Sequence, residues 1–140
     1  MRTISARKKC RFEVINILKG LGLVEGIELN DEQIQSSTAI LFWHGVVRNQ
    51  IARNKSTYLS YYFTHYDNKY GADNDDFLRE VMVAIDIFSK KSFDSKDNLD
   101  LLENIENAFK DGGFEVEFAD EIYESETSLF HYPLTIYKLY

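Results

Sequence analysis

The chain has one cysteine and one proline in 140 residues, and acids outnumber bases 23 to 16. A single cysteine cannot close an internal disulfide. Cys10 stands among helix-forming residues and reads as a small core side chain rather than a nucleophile. No apolar run reaches the length of a membrane span, and no signal-peptide h-region is present; the expectation is a soluble chain made in a cytoplasm. The sequence also has no Gly-rich phosphate loop, no paired Cys, no His-x-x-x-His and no nucleophile elbow. The expectation is therefore no enzyme, no cofactor and no metal. A net charge of −7 lacks the basic face that general nucleic-acid binding requires.

Aromatics are plentiful instead, with nine Tyr and ten Phe. That exceeds what a small core needs, and Tyr is favoured at protein interfaces. The length suits one domain, residues 1–140, able to bury roughly 65–70% of the surface its unfolded chain exposes.

The most apolar stretch is Val81-Met82-Val83-Ala84-Ile85-Asp86-Ile87-Phe88. It is short and rich in β-branched residues, so it predicts a strand. Val81, Val83, Ile85 and Ile87 share one face; Met82, Ala84 and Phe88 share the other, with Asp86 as its only charge. A strand apolar on both faces predicts a central position, covered on each side by helix, sheet or a partner chain.

Around it, residues 6–21 carry apolar positions at helical spacing (Cys10, Val14, Ile17, Leu18, Leu21), widened by Phe12 and Ile15, with Ser5 as N-cap and Gly20 and Gly22 at the stop. Arg7-Lys8-Lys9 falls in the first turn, where the macrodipole disfavours cations. Residues 23–37 read as a long loop with one helical turn after Asn30, residues 39–47 as a strand, and residues 48–56 as a polar connection. Residues 57–66 alternate as an aromatic strand, and the turn-formers of residues 67–76 make it an antiparallel hairpin with the apolar strand. That tip exceeds ordinary hairpin length, and long loops are often contact surfaces. After an N-cap at Asp94-Ser95, Leu99, Leu102, Ile105 and Phe109 form a helical stripe ending at Gly112-Gly113. Residues 114–118 alternate as a half-buried strand, residues 120–128 are acidic and turn-like, and residues 129–140 form a last strand. Pro133 cannot donate a ladder bond, which predicts an edge or a bulge there. The sum is an α+β domain: an antiparallel or mixed sheet of about five strands with two main helices on one face.

Candidate chemistry is sparse. His44, His65 and His131 all fall in predicted strands. A metal site with Asp67 or Asp86 is open in principle, but satisfied or interface histidines are the simpler reading, and Asp86 reads as ion-paired or surface-facing. Asp73-Asn74-Asp75-Asp76 opens like a calcium loop, yet Leu78 and Ala84 occupy the positions of its turn Gly and bidentate Glu. Charge is polarised: residues 1–20 carry six Lys/Arg against Glu13, and residues 94–126 carry twelve acids against Lys96 and Lys110. These are either two solvated faces or the two ends of a subunit that meets its neighbours head to tail.

An ordered set of pieces resembles a known family. It runs from Tyr58-Leu59-Ser60-Tyr61-Tyr62-Phe63 through the acidic tip to Asp86-Ile87-Phe88-Ser89-Lys90. It continues with Gly112-Gly113-Phe114, Asp120-Glu121-Ile122-Tyr123-Glu124-Ser125-Glu126-Thr127 and Leu129-Phe130-His131-Tyr132. The set, about 75 residues long, is similar to tail-completion proteins of long-tailed bacteriophages, the tail-terminator or tail-to-head joining group; residues 23–56 match it less well. The resemblance implies an α+β fold and a homo-oligomeric, six-fold ring that stops tail-tube growth and docks on the head connector. It implies no enzyme activity, and a place at the tail–head junction of the virion after assembly in the host cytoplasm. In such a ring Arg7, Lys8, Lys9 and Arg11 would face Asp120, Glu121 and Glu124 across subunits. The tip, with Asp67, Lys69, Tyr70, Asp73, Asp75 and Asp76, would contact tail tube or connector. The competing readings are a head-side adaptor or minor structural protein, and a small monomeric regulatory or ligand-binding domain.

Overall fold

The computed structural model describes residues 3–68 and 79–140, with side chains for residues 5–64 and 79–140. Its elements are α1 (Thr3–Gly20), β1 (Val24–Glu25), a 3-10 turn (Gly26–Glu28), α2 (Asp31–Ser36), β2 (Leu41–His44), α3 (Gln50–Arg53), β3 (Thr57–Asn68), β4 (Arg79–Ser89), α4 (Lys96–Asp111), β5 (Glu115–Phe118), β6 (Ile122–Glu124) and β7 (Leu129–Leu139). Seven strands form one mixed sheet in the order β1-β2-β3-β4-β7-β5, with β6 also paired to β7. The α+β class is thus as read, with seven strands rather than five. The two extra ones are β1 and β6, of two and three residues, too short to leave a periodic signal.

β4 is central, antiparallel to β3 on one side and to β7 on the other. Val81, Val83, Ile85 and Ile87 are fully buried on one face. Register places Leu59, Tyr61 and Phe63 of β3 and Tyr132, Leu134 and Ile136 of β7 on the same face. α1 and α4 cover it with Ala6, Cys10, Val14 and Leu18 and with Leu102, Ile105 and Phe109. Each such side chain contributes about 1.5–3 kcal/mol when removed from water, so this layer is the core. The end of β7 is tied to both helices: Lys138 Nζ donates to Gly112 O and Glu13 Oε2, each at 2.8 Å, and Tyr140 Oη donates to the same carboxylate at 3.0 Å. Burial, the largest influence, pushes the Cys10 thiol up to about 11, which keeps it protonated and inert.

The opposite face is covered differently. α2 and α3 lie there, contributing Ile34 and Ala52 to a smaller cluster with Leu41, Tyr58 and Leu129. Both helices are short and depend on their caps. Asn30 and Gln33 form a reciprocal capping box at α2, and Asn49 accepts from Ile51 N and Ala52 N at α3. Gly26 sits where a Cβ would stand 2.0 Å from the Trp43 ring, so only glycine lets the 3-10 turn close over that indole.

Several sequence expectations need correction. α1 already includes Ser5, which is not its cap; Arg7-Lys8-Lys9 therefore lies beyond the first turn, where the macrodipole penalty has faded. Phe12 is exposed instead of widening the stripe. The loop of residues 23–37 contains β1 and a 3-10 turn, the helical turn expected after Asn30 is α2, and the polar connection of residues 48–56 contains α3. In α4 Leu99 is half exposed. Asn98 takes the buried place, its amide donating to Ser89 Oγ, Lys91 O and Ser92 O across the turn that leads into the helix. Ser95 is the N-cap, but its hydroxyl makes no capping bond.

Pro133 lies not at an edge but at an irregularity of the ladder: residues 119–121 pass opposite residues 132–133, and the register slips by one residue between Phe118↔Leu134 and Ile122↔His131. β7 is paired on both sides, with Pro133 opposite Asp86 of β4. Its carbonyl accepts from Ala119 N at 3.1 Å. In a strand the N–H and C=O of one residue point the same way, so the missing donor faces the gap where β5 ends at Phe118 and β6 has yet to begin at Ile122. No ladder bond is lost there, and proline is tolerated inside the sheet.

Candidate functional site

Beyond the reach of α2 and α3, no helix among the described residues covers the second sheet face. A pocket of about 680 Å³ lies at this boundary. The connection after β2 (Gly45, Val46, Val47, Arg48) and Arg53 of α3 form one wall; Ser60, Tyr62, Asp86 and Phe88 form the sheet floor. Tyr58, Phe88 and His131 are stacked at that floor, with centroid separations of 5.0 and 4.5 Å. The stack crosses β3, β4 and β7 on one face, as their register requires.

His131 is the chemically richest group here, and it is fully engaged. Nε2 lies 2.8 Å from Asp86 Oδ1, and Nδ1 lies 3.1 Å from Glu124 Oε1. With both nitrogens occupied, the imidazole has no free position for proton transfer or metal ligation. The two carboxylates sit on opposite edges of the ring and do not converge on a point where an ion could bind. Burial first, then the nearby Asp86 carboxylate, pushes the Tyr62 phenol up. Asp86 and His131 are therefore the paired, satisfied groups that the sequence suggested, and they fasten β4, β6 and β7 together.

The two sides of the sheet differ in charge. On the β2 side, residues 42–55 include Arg48, Arg53 and Lys55 and no acid, while the adjoining residues 24–32 carry Glu25, Glu28, Asp31 and Glu32 and no base. Arg7 and Arg11 of α1 reach β3 from the opposite, sealed face of the sheet. Arg7 lies 4.9 Å above the Phe63 ring, and Arg11 Nε donates to Tyr61 Oη at 3.4 Å. His44 stacks on Tyr61 at 5.0 Å. Burial, then the charges of Arg11 and Arg7, hold its imidazole below the usual 6.5. On the other side, residues 115–126 contain six acids and no base. Both flanks also expose apolar side chains: Ile27 and Val46 beside β2, and Phe118, Ile122 and Tyr123 on β5 and β6.

Of the residues singled out in sequence, Lys8 is exposed, and Lys9 lies 5.9 Å from the Tyr140 ring. Asp120 is exposed. Glu121 accepts from Ser92 Oγ at 3.0 Å and from Phe93 N, which holds the turn before α4. Glu124 is spent on His131. Asp67 pairs Glu80 through the backbone in β3, while Lys69, Tyr70, Asp73, Asp75 and Asp76 lie outside the described residues. So do the side chain of His65 and the acidic loop of the calcium comparison. Arg48 and Arg53 escaped sequence reading, although fourteen residues with three Lys/Arg and no acid were a usable signal. Among the described residues no cluster of three His, Cys, Asp or Glu gathers to hold a metal, and no helix is long and apolar enough to cross a membrane. The chain matches no protein-family model, and no curated protein matches it.

Proposed function

We propose that this chain is a structural subunit of a bacteriophage or prophage tail, which associates with copies of itself as a ring, caps the tail tube and joins it to the head connector. The observation that carries this reading is the unlikeness of the two sides of the sheet: Arg48, Arg53 and Lys55 beside the exposed Ile27 and Val46 on one, and the six acids of residues 115–126 beside the exposed Phe118, Ile122 and Tyr123 on the other. A surface that complements its own opposite side, not itself, favours head-to-tail contacts, which close into rings when the rotation allows. The ordered motifs of residues 58–132 and the antiparallel β3–β4 hairpin support the same assignment. In this reading the subunit performs no catalysis. Arg7, Lys8, Lys9 and Arg11 contribute positive charge to the contact with Asp120 and its neighbours, and the hairpin tip projects along the ring axis to tail tube or connector.

Negative-stain microscopy of the protein mixed with tail tubes and with capsids tests it. Rings at one end of the tubes are expected; decoration of capsid vertices alone would replace this reading with the head-side adaptor. A second reading, a ligand-binding domain, is favoured by the open pocket beside Asp86. A protein that stays monomeric at every concentration and leaves tube ends bare would support it.

A further inference from the structure

We propose that the pocket between the Arg48 and Arg53 wall and the β3–β4 floor binds a small aromatic acid, a carboxylate or a phosphate, with its anionic head at the wall and a hydroxyl-bearing end on the floor. The inference goes beyond the ring reading and does not rest on it, since a ring subunit and a monomer can each carry the site. Its key is Ser60. This residue lines the pocket, is only 5% exposed, and has no hydrogen-bond partner for its hydroxyl among the described residues. Nearby hydroxyls of the same sheet are used: Ser89 Oγ lies 3.1 Å from Thr57 Oγ1 and accepts from the Asn98 amide at 3.0 Å. Most buried polar side chains are paired, so an unpaired hydroxyl this deep marks where a ligand atom completes the bonding.

Charge sets the ligand's direction. Arg48 makes no hydrogen bond or ion pair among the described residues, and Arg53 stands on the same wall. Asp86, the one carboxylate among the described lining residues, is held by His131 Nε2 at 2.8 Å and is the register partner of Ser60 across β3 and β4. An anionic head is therefore drawn to the guanidiniums and repelled from the floor, where a neutral hydroxyl meets Ser60 and Asp86 instead. Val46, Val47 and Phe88 supply apolar sides, and Tyr62, 41% exposed, offers a flat ring to an aromatic body. The volume of about 680 Å³ falls within the roughly 300–1,000 Å³ of small-molecule sites. The wall is also held in place by the chain itself. Gly45, at φ +82°, turns the backbone off β2 and donates its N–H to Tyr61 O at 2.9 Å. Asn49 caps α3 while its amide donates to Asp31 Oδ1 at 2.9 Å.

Isothermal titration of the full chain tests this with cinnamate, its neutral isostere cinnamamide, and para-coumarate, which is cinnamate with a hydroxyl at the far end. Cinnamate should bind about tenfold or more tightly than cinnamamide, because a neutral amide makes no charge-assisted pair with Arg48. The hydroxyl of para-coumarate should gain a further factor of about three to ten. Ser60→Ala should remove most of that gain and leave the cinnamate affinity in place. Arg48→Gln, which breaks no internal bond, should weaken cinnamate severalfold and leave cinnamamide and the melting curve unchanged. Phenyl phosphate binding more tightly than benzoate would assign a phosphate head, and the reverse a carboxylate. Equal affinities for acid and amide would overturn the site. So would the absence of heat from every probe at millimolar concentration, or a hydroxyl gain that is missing or survives Ser60→Ala. None of these results bears on the ring, which microscopy of tube ends judges separately.

Discussion

The two faces of β4 are built from alternate residues of one strand, yet they are finished differently. Val81, Val83, Ile85 and Ile87 are sealed beneath two long helices, while Met82, Ala84, Asp86 and Phe88 are half-buried under two short ones that stop partway across the sheet. The first face holds the fold together. The second retains apolar surface beyond what the described residues cover, and surface of that kind is what a neighbouring copy can use. An apolar strand face thus predicts burial without saying which molecule supplies the cover.

The largest expected effect comes from comparing adjacent positions. Ile85→Ala should cost about 2–5 kcal/mol, because the packed layer beneath α1 and α4 cannot relax into the cavity. Met82→Ala, on the open face, should cost less than about 1.5 kcal/mol in the isolated chain, since the lost side chain was partly solvated. Urea unfolding at low protein concentration measures both. Equal losses would mean that the second face is as closed as the first, and the contrast between them would fail.

Much of the sealed face was legible in sequence, and little of the open one was. The alternation of residues 81–88 and the stop at Gly112-Gly113 are local patterns, so strand and helix were readable. α2 and α3 span six and four residues, too few turns for a periodic stripe, and their stability comes from capping and docking rather than propensity. Their signals were the caps Asn30 and Asn49 rather than any hydrophobic pattern. Pro133 signalled a break in the ladder but not which neighbour its nitrogen faces, and that is settled by the handover from β5 to β6. The pocket was illegible for a related reason: its walls come from residues 45–53 and its floor from residues 60–88, brought together only by the parallel pairing of β2 with β3.

A second, intermediate effect probes what fastens the open face. Asp86→Ala removes the carboxylate that holds His131 Nε2, leaving a half-buried imidazole edge without its partner. A loss of about 1–3 kcal/mol is expected, as for a buried polar group left unsatisfied. Adding His131→Leu to Asp86→Ala should recover part of it, since both polar partners are then gone. A double-mutant cycle in thermal unfolding reads the coupling. Strictly additive losses would show that the pair does not join β4 to β7, and that the open face is held by packing alone.

The smallest effect sharpens the contrast between the basic and acidic flanks. His44 is partly exposed, and burial together with Arg11 and Arg7 lowers its affinity for a proton in the folded state. As pH falls below the unfolded value of about 6.5, the unfolded chain takes up a proton that the folded chain resists. The corresponding stability is present above that value and is lost as pH falls through the lowered folded value. Because solvent screens this site, the loss should stay under about 1 kcal/mol. The imidazole proton resonance followed through an NMR titration gives the sharper readout. It should titrate below 6.5 in the wild-type chain, and Arg11→Gln should move it upward without restoring it fully, since burial is the larger cause. A His44 that titrates at or above the ordinary value would mean that burial and the two guanidiniums do not act on this ring, and that Arg7 and Arg11 are turned away from β2.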